Sequence, residues 1–267
     1  MSTFSLEQEQ ANYLKRCKRQ QVFTVLMQIS VLLVFLLFWE LAAVFRLIDP
    51  FLLSSPSRIV STVVRLFREG TLFLHIGTTL WETVLGFLLG TLFGTLLAVA
   101  LWWFPRLYRV LDPYLVVLNA LPKIALGPVL IVWIGAGMGS IVVMGILVSL
   151  IVTTVTVLNG FHATTDEKEL LMKTLGATRA QLFFKVVLPA SVSNLVSALK
   201  ISVAMSWVGV IVGEYLVSKA GLGYLIVYGG QVFKLDLVMA SVVLLCLLAA
   251  AMYYLIAALE AKLRRLF

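Results

Sequence analysis

Charge is what this chain has least of. Only 13% of its residues are Asp, Glu, Lys or Arg, whereas 61% are hydrophobic and mean hydropathy is +1.03. Ordinary globular chains carry about 25% charged residues, so a soluble domain of this length is excluded. Cysteine is equally sparse: Cys17 lies in a basic stretch and Cys246 in an apolar run, with no metal spacing and settings too unlike for a disulfide. The two histidines, His75 and His162, fall at opposite ends of their apolar runs, which argues against a metal pair. No Walker A sequence is present, and nothing near Ser54, Ser191 or Ser206 suggests a Ser/His/Asp site, so the chain is expected not to be an enzyme by itself. No cleavable signal peptide is visible, because the first apolar run starts only after Gln21 and is too long. The net charge of +8 reads as decoration of membrane-flanking loops and not as a nucleic-acid surface.

What the chain does have is apolar length. Six stretches are long enough to cross about 30 Å of hydrocarbon at about 1.5 Å per residue: 22–45, 75–104, 114–134, 141–159, 189–213 and 237–259. The third is broken by Pro122, Gly127 and Pro128, and residues 214–236 read as a polar, glycine-rich re-entry. The expected organisation is a tail over 1–21, a first transmembrane helix over 22–45, and an outer amphipathic segment over 46–74. A five-helix core over 75–260, with a polar loop at 160–188, and a tail over 261–267 follow. This is an all-α membrane protein with six transmembrane helices and both termini on one side. Thirteen Lys and Arg flank the spans on the tail side and six (Arg46, Arg58, Arg65, Arg68, Lys219, Lys234) on the other, so the positive-inside rule puts the tails and the polar loop in the cytosol. Ile59, Val60, Val63, Val64, Leu66 and Phe67, interleaved with Arg58, Arg65 and Arg68, predict a short amphipathic helix, either on the membrane surface or in an aqueous loop.

The longest polar interruption, Thr165–Pro189, is rich in helix punctuation. Asp166 with Glu169, and Thr178 with Gln181, read as capping boxes. Gly176 between them suits the left-handed end of the first helix, and Pro189 suits the first turn of the next span. Leu170, Leu171 and Leu175, with Leu182 and Phe183, are too apolar for a solvated loop. Such a face is given to a partner, or to the lipid head-group region.

Gly176 followed at a fixed distance by Val186, Val187, Leu188 and Pro189 resembles the cytoplasmic loop of ABC importer permeases. The Glu-Ala-Ala that opens that loop in the family is replaced by Leu170, Leu171 and Met172. The resemblance extends to Leu121-Pro-Lys-Ile-Ala-Leu-Gly-Pro with Trp133 and Gly135, to Met205-Ser206-Trp207 running to Glu214, and to Ala220-Gly-Leu-Gly-Tyr-Leu-Ile. These are similar to the nitrate/sulfonate/taurine branch of binding-protein-dependent type I importers, over roughly Pro50 to the C-terminus. The resemblance implies a permease subunit in the cell membrane that works as a pair of identical copies on a cytosolic ATPase dimer, and receives a small solute from an extracytoplasmic binding protein. ATP and Mg would be bound by the ATPase, with no cofactor on this chain. The ATPase-coupling residues it implies are Leu170, Leu171, Met172, Leu175, Gly176, Ala177, Leu182, Leu188 and Pro189.

Charges inside spans mark functional candidates. Glu40, Glu82 and Glu214 are expected near outer ends, within reach of solvent or a binding protein. Lys123 and Lys200 lie nine and eleven residues from their span starts, about 14–17 Å deep. They either face a pathway or pair with Glu82 or with carbonyls freed at Pro122 and Pro128. Pro122, Lys123, Lys200, Trp207 and Glu82 are the candidate pathway residues. Gly86, Gly90 and Gly94 form a small-residue stripe that serves either packing within the subunit or a dimer contact. A secondary transporter, which also uses broken helices and buried charge, is the rival reading, and a non-transporting membrane subunit the third.

Overall fold

The computed structural model of the chain describes residues 3–164 and 166–263, and among them every regular element is a helix. The side chains of Lys15, Asp166, Lys262, Arg264 and Arg265, which enter the orientation and capping arguments above, lie outside what is described. The chain divides into two compact units, Met1–Thr62 and Val63–Phe267.

In the first unit, the expected tail and first span are one helix, α1 (Thr3–Val44), whose apolar part Arg16–Val44 is long enough to cross a membrane. A short helix α2 (Pro50–Leu53) starts where Asp49 Oδ1 accepts from Phe51 N at 2.9 Å. The amphipathic helix α3 (Pro56–Arg68) starts against Glu40, which accepts from Ser57 N at 3.0 Å and Ser57 Oγ at 2.7 Å. Glu40 therefore caps a helix: its charge lies where the N–H groups of a first turn need acceptors.

The second unit contains α4 (Leu72–Trp103), α5 (Pro105–Ala120), α6 (Gly127–Ile134), α7 (Met138–His162), α8 (Asp166–Thr174), α9 (Arg179–Leu182), α10 (Leu188–Ala190), α11 (Val192–Val217), α12 (Leu222–Gln231) and α13 (Leu235–Leu263). The expected second, fourth, fifth and sixth spans match α4, α7, α11 and α13 to within about a turn. The third does not. Residues 105–113, expected to link two spans, belong to α5, whose polar Arg106, Arg109 and Asp112 form an exposed face. Pro105 sits at the first turn of α5, where its fixed φ suits helix entry and its missing N–H costs nothing. At Leu121–Pro122 the chain bends by 88° into a 3₁₀ turn, Lys123–Leu126, and then α6. The glycine-rich re-entry is also corrected. Its middle is the ten-residue helix α12, because Leu222 and Leu225 supply an apolar face that packs with Leu237, Trp207 and Phe87.

Helix α7 packs between α4 and α11. The stripe Gly86, Gly90, Gly94 faces α7 in the same subunit: a Cβ on Gly90 would stand 1.9 Å from Ser149 Oγ, and the other two meet Gly145 and Thr153. Close backbone approach of this kind is how apolar helices gain packing energy where no water drives them together. Two apolar clusters form at opposite ends of α4. One gathers Leu101 and Trp102 with Phe161, Leu182 and Phe183; the other gathers Leu72 and Phe87 with Trp207, Leu222 and Leu245.

Candidate functional site

The hairpin between α7 and α11 is built from its sequence punctuation. Gly176 takes φ +74°, with Ala177 N bonded to Met172 O and Gly176 N to Lys173 O, both at 3.0 Å. That pair of bonds is a Schellman closure of α8. Thr178 then opens α9 with a reciprocal capping box: Gln181 N donates to Thr178 Oγ1 at 3.3 Å and Thr178 N to Gln181 Oε1 at 2.8 Å. The helix continues through a π turn, Phe183–Val187, directly before Pro189. A π turn takes up the register change that a proline forces on the bonds preceding it. Pro189 therefore lies inside a helical run and not at the first turn of α11; Ser191 closes the joint by donating to Gly160 O at 2.9 Å.

The two arms of the hairpin face opposite ways. On α8 and the residue that follows it, Leu170, Leu171 and Leu175 are 59–72% exposed. On the second arm Leu182 and Phe183 are buried, with Phe183 against Trp102 at 4.9 Å, Phe161 at 5.4 Å and Trp103 at 6.0 Å. The expectation that Leu182 and Phe183 share the apolar face offered outward is thus corrected. Met172, Ala177 and Leu188 are half-buried, and Gly176 and Pro189 are exposed. Arg179 fastens the hairpin to α4: its Nη2 donates to Trp102 O at 2.9 Å, and the guanidinium lies 5.3 Å from the Trp102 ring centre. Trp102 O is one of the carbonyls a helix leaves unbonded at its C-terminus, where a cation is also favoured.

At the other end of α4 a second joint is assembled around the start of α12. Gly221 N donates to His75 Nδ1 at 3.0 Å, Leu222 N to Thr79 Oγ1 at 2.8 Å, and Gly223 N and Tyr224 N to Glu214 Oε2 at 2.6 and 3.3 Å. The unpaired N–H groups of a buried helix start are in this way satisfied by side chains from α4 and α11. Gly221, at φ +120° and ψ 166°, lies in a region essentially restricted to glycine, and a Cβ there would sit 2.4 Å from Glu214 Oε2. Glu82 and Glu214 are 2% and 1% exposed, with their carboxyls against each other, so neither is open to solvent as expected. Glu82 Oε2 and Glu214 Oε1 have no partner among the described residues.

The candidate pathway residues do not converge. Lys200 pairs with Glu260 of α13 and lies 5.8 Å from the Tyr253 ring, so neither Glu82 nor a freed carbonyl is its partner. Trp207 is buried in the cluster with Leu222 and Leu245. Lys123 and Pro122 stay together at the 88° bend, where Lys123 Nζ donates to Asn119 O at 2.9 Å. Asn119 O lies in the last turn of α5, where a helix leaves carbonyls unbonded, so Lys123 meets a freed carbonyl and not Glu82. His75, Thr79, Arg179 and Glu260 went unassigned in the sequence. A glycine-rich helix start that must be buried demands acceptors, and that demand was the signal for the first two.

Comparison with known proteins gives one consistent picture. Residues 90–265 match the family described as the inner membrane component of binding-protein-dependent transport systems. The formylaminopyrimidine transport permease protein of Halalkalibacterium halodurans is 34% identical over 193 residues, covering 72% of this chain and 76% of that protein. A probable ABC transporter permease protein of Haemophilus influenzae is 32% identical, covering 83% and 89%. The taurine transport system permease protein of Escherichia coli is 25% identical, covering 84% of each chain. Among solved structures, an inward-facing methionine ABC transporter superposes with a TM-score of 0.60 at 22% identity, over 70% of this chain and 92% of that one. At that identity the likeness shows the fold.

Proposed function

This chain belongs to the family of binding-protein-dependent transport system inner membrane components, a multi-pass permease subunit of an ABC importer, and from that premise we propose how its parts divide the work. The family's permease components operate with an ATPase and a solute-binding protein and are not themselves catalytic; the secondary-transporter reading is not favoured. The hairpin is the ATPase-coupling element. Leu170, Leu171 and Leu175 are the ridge offered to the cytosolic ATPase, Gly176 and Ala177 set its angle, and Met172, Leu182, Leu188 and Pro189 join it to the bundle. The observation that carries this is the division of the hairpin: one arm is locked inward by Phe183 and Arg179, and the other leaves three leucines uncovered. An apolar ridge held that rigidly is a docking edge and not a lipid anchor, since the loop around it is polar.

Two copies of the chain form the permease in the cell membrane, with the tails and hairpin in the cytosol and the α12 joint outside. ATP and Mg stay with the ATPase, and the binding protein delivers solute at the outer face. The pathway passes the bend at Pro122 and Lys123. A cation and freed backbone groups within an apolar bent pair are tolerated only beside water or protein. Lys123 there favours an anionic or carbonyl-rich solute, in the range that runs from taurine to formylaminopyrimidine among the relatives.

The test replaces Leu171 and Leu175 by Glu. Both side chains are exposed, so membrane insertion should be retained while the co-purifying ATPase falls at least tenfold, about 1.4 kcal/mol or more. ATPase recovered at the unaltered ratio would refute the docking role.

A further inference from the structure

Glu82 of α4 and Glu214 of α11 are almost completely buried, and their carboxyls lie within hydrogen-bond reach of each other. Among the described residues neither has an ion pair. Around them α4 also places His75 and Thr79, α11 places Tyr215, α12 places Tyr224, and α7 places the apolar Met138 and Ile141. His75 is a neutral ring in this arrangement, since its Nδ1 accepts from Gly221 N, and tyrosine hydroxyls are neutral at ordinary pH. No positive charge faces the pair from these side chains. Two carboxylates in contact in a dry site repel each other strongly, and each is costly to bury unneutralised. A hydrogen bond between them also needs a donor, which an ionised carboxylate lacks. One proton supplies it.

The surroundings tell the two carboxyls apart. Glu214 Oε2 accepts from Gly223 N at 2.6 Å and Tyr224 N at 3.3 Å, Thr79 Oγ1 can donate to the same carboxyl, and the α12 N-terminus favours negative charge there. Glu82 receives no backbone N–H among the described residues, and its Oε2 has no partner. It also lines an open cleft of about 380 Å³ with Thr78, Trp81 and Met138, through which water can bring or remove a proton. We propose that Glu82 and Glu214 bind one proton between them, carried by Glu82 as a neutral acid that donates to Glu214 Oε1 and so holds the Glu214 carboxylate on the start of α12. Glu82 is in this sense a positioning residue for the α12 joint. Loss of the proton puts two like charges in contact, turns Glu214 away and frees Gly223 N and Tyr224 N, so the joint opens.

Infrared spectra of the purified transporter in an ester-free detergent read the proton directly. The wild-type protein should show the carbonyl stretch of a buried carboxylic acid, lowered in heavy water, and Glu82→Gln should remove it. Gln supplies a permanent N–H donor of nearly the same shape, so that variant should melt within about 2 °C of wild type at neutral pH. Glu82→Met supplies no donor and leaves Glu214 Oε1 orphaned, and it should melt about 5 °C lower. A folded state holding one proton that the unfolded chain gives up loses stability as pH rises, by about 4 °C per pH unit. The wild-type protein should show that extra slope above neutral pH and Glu82→Gln should not; His75 is present in both and cancels. No acid band removed by Glu82→Gln, equal pH slopes, or a glutamine variant as damaged as Glu82→Met would overturn the proposal. So would a melting temperature raised by sodium and not by choline at equal ionic strength, which would make the pair a metal-cation site.

Discussion

Replacing Gly221 by Ala adds one methyl group to a chain of 267 residues, and the structure makes it a severe change. Two terms contribute. The backbone at φ +120° and ψ 166° is close to glycine-only, which costs an alanine about 1–3 kcal/mol. The new Cβ would stand 2.4–2.6 Å from all three atoms of the Glu214 carboxyl, so that carboxyl must move. In moving it releases Gly223 N and Tyr224 N, at about 0.5–1.5 kcal/mol each. The sum is about 2–6 kcal/mol. At about 2–4 °C per kcal/mol for chains of this size, the purified transporter should unfold about 10 °C lower. Gly230→Ala is the control: a Cβ there meets nothing within 4 Å, and its melting temperature should hold or rise slightly. With Glu214→Ala in the same chain the collision disappears, so the double variant should lose at least 1 kcal/mol less than the two single losses added together. Equal melting temperatures for Gly221→Ala and Gly230→Ala would refute the account of the α12 joint.

Three further outcomes follow from the same geometry. Gly176→Val places a β-branched residue at φ +74° with open space around it, so about 1–2 kcal/mol of strain should distort the hairpin without unfolding the bundle. Solute-stimulated ATP hydrolysis should fall while insertion is kept; full stimulation would contradict the coupling role. In a chain with Cys17 and Cys246 replaced, a cysteine at exposed Leu171 should resist an impermeant thiol reagent in intact cells while one at exposed Gly230 labels, and the reverse would invert the orientation. Lys123→Met should still insert, and transport of an anionic solute should drop more than basal ATP hydrolysis. Unchanged transport would leave Lys123 a helix-end residue bonded to Asn119 O.

What was legible in the sequence is what a short stretch of chain decides by itself. An apolar run of twenty or more residues has few alternatives to a spanning helix, and α4, α7, α11 and α13 appear where expected. The Gly176 turn and the Thr178–Gln181 box were legible for the same reason, because their bonds close within six residues. Direction was not legible. Periodicity tells which residues share a face but not what covers it, and what covers Leu182 and Phe183 is a cluster around Trp102, about eighty positions earlier in the chain. Lys200 found Glu260 and Glu214 found the α12 backbone, partners that no spacing rule connects. Pro122 announced a break and could not announce 88°.

Helix α4 touches both joints. Trp102, in its last turn, holds Arg179 of the hairpin, and His75 and Thr79, in its first turns, hold the start of α12. Thirty-two helical residues make a rod of about 48 Å, well beyond the hydrocarbon thickness of about 30 Å. Such a rod acts as a seesaw. A tilt of about 5° about its middle would carry each end about 2 Å in opposite directions, comparable to the helix shifts that switch packed interfaces. A push on the leucine ridge would then be felt at α12 with no relay of side chains between them, and its size would be set by where along α4 the pivot lies. The glycine stripe at Gly86, Gly90 and Gly94, pressed against α7 near the rod's centre, is where that fulcrum would be.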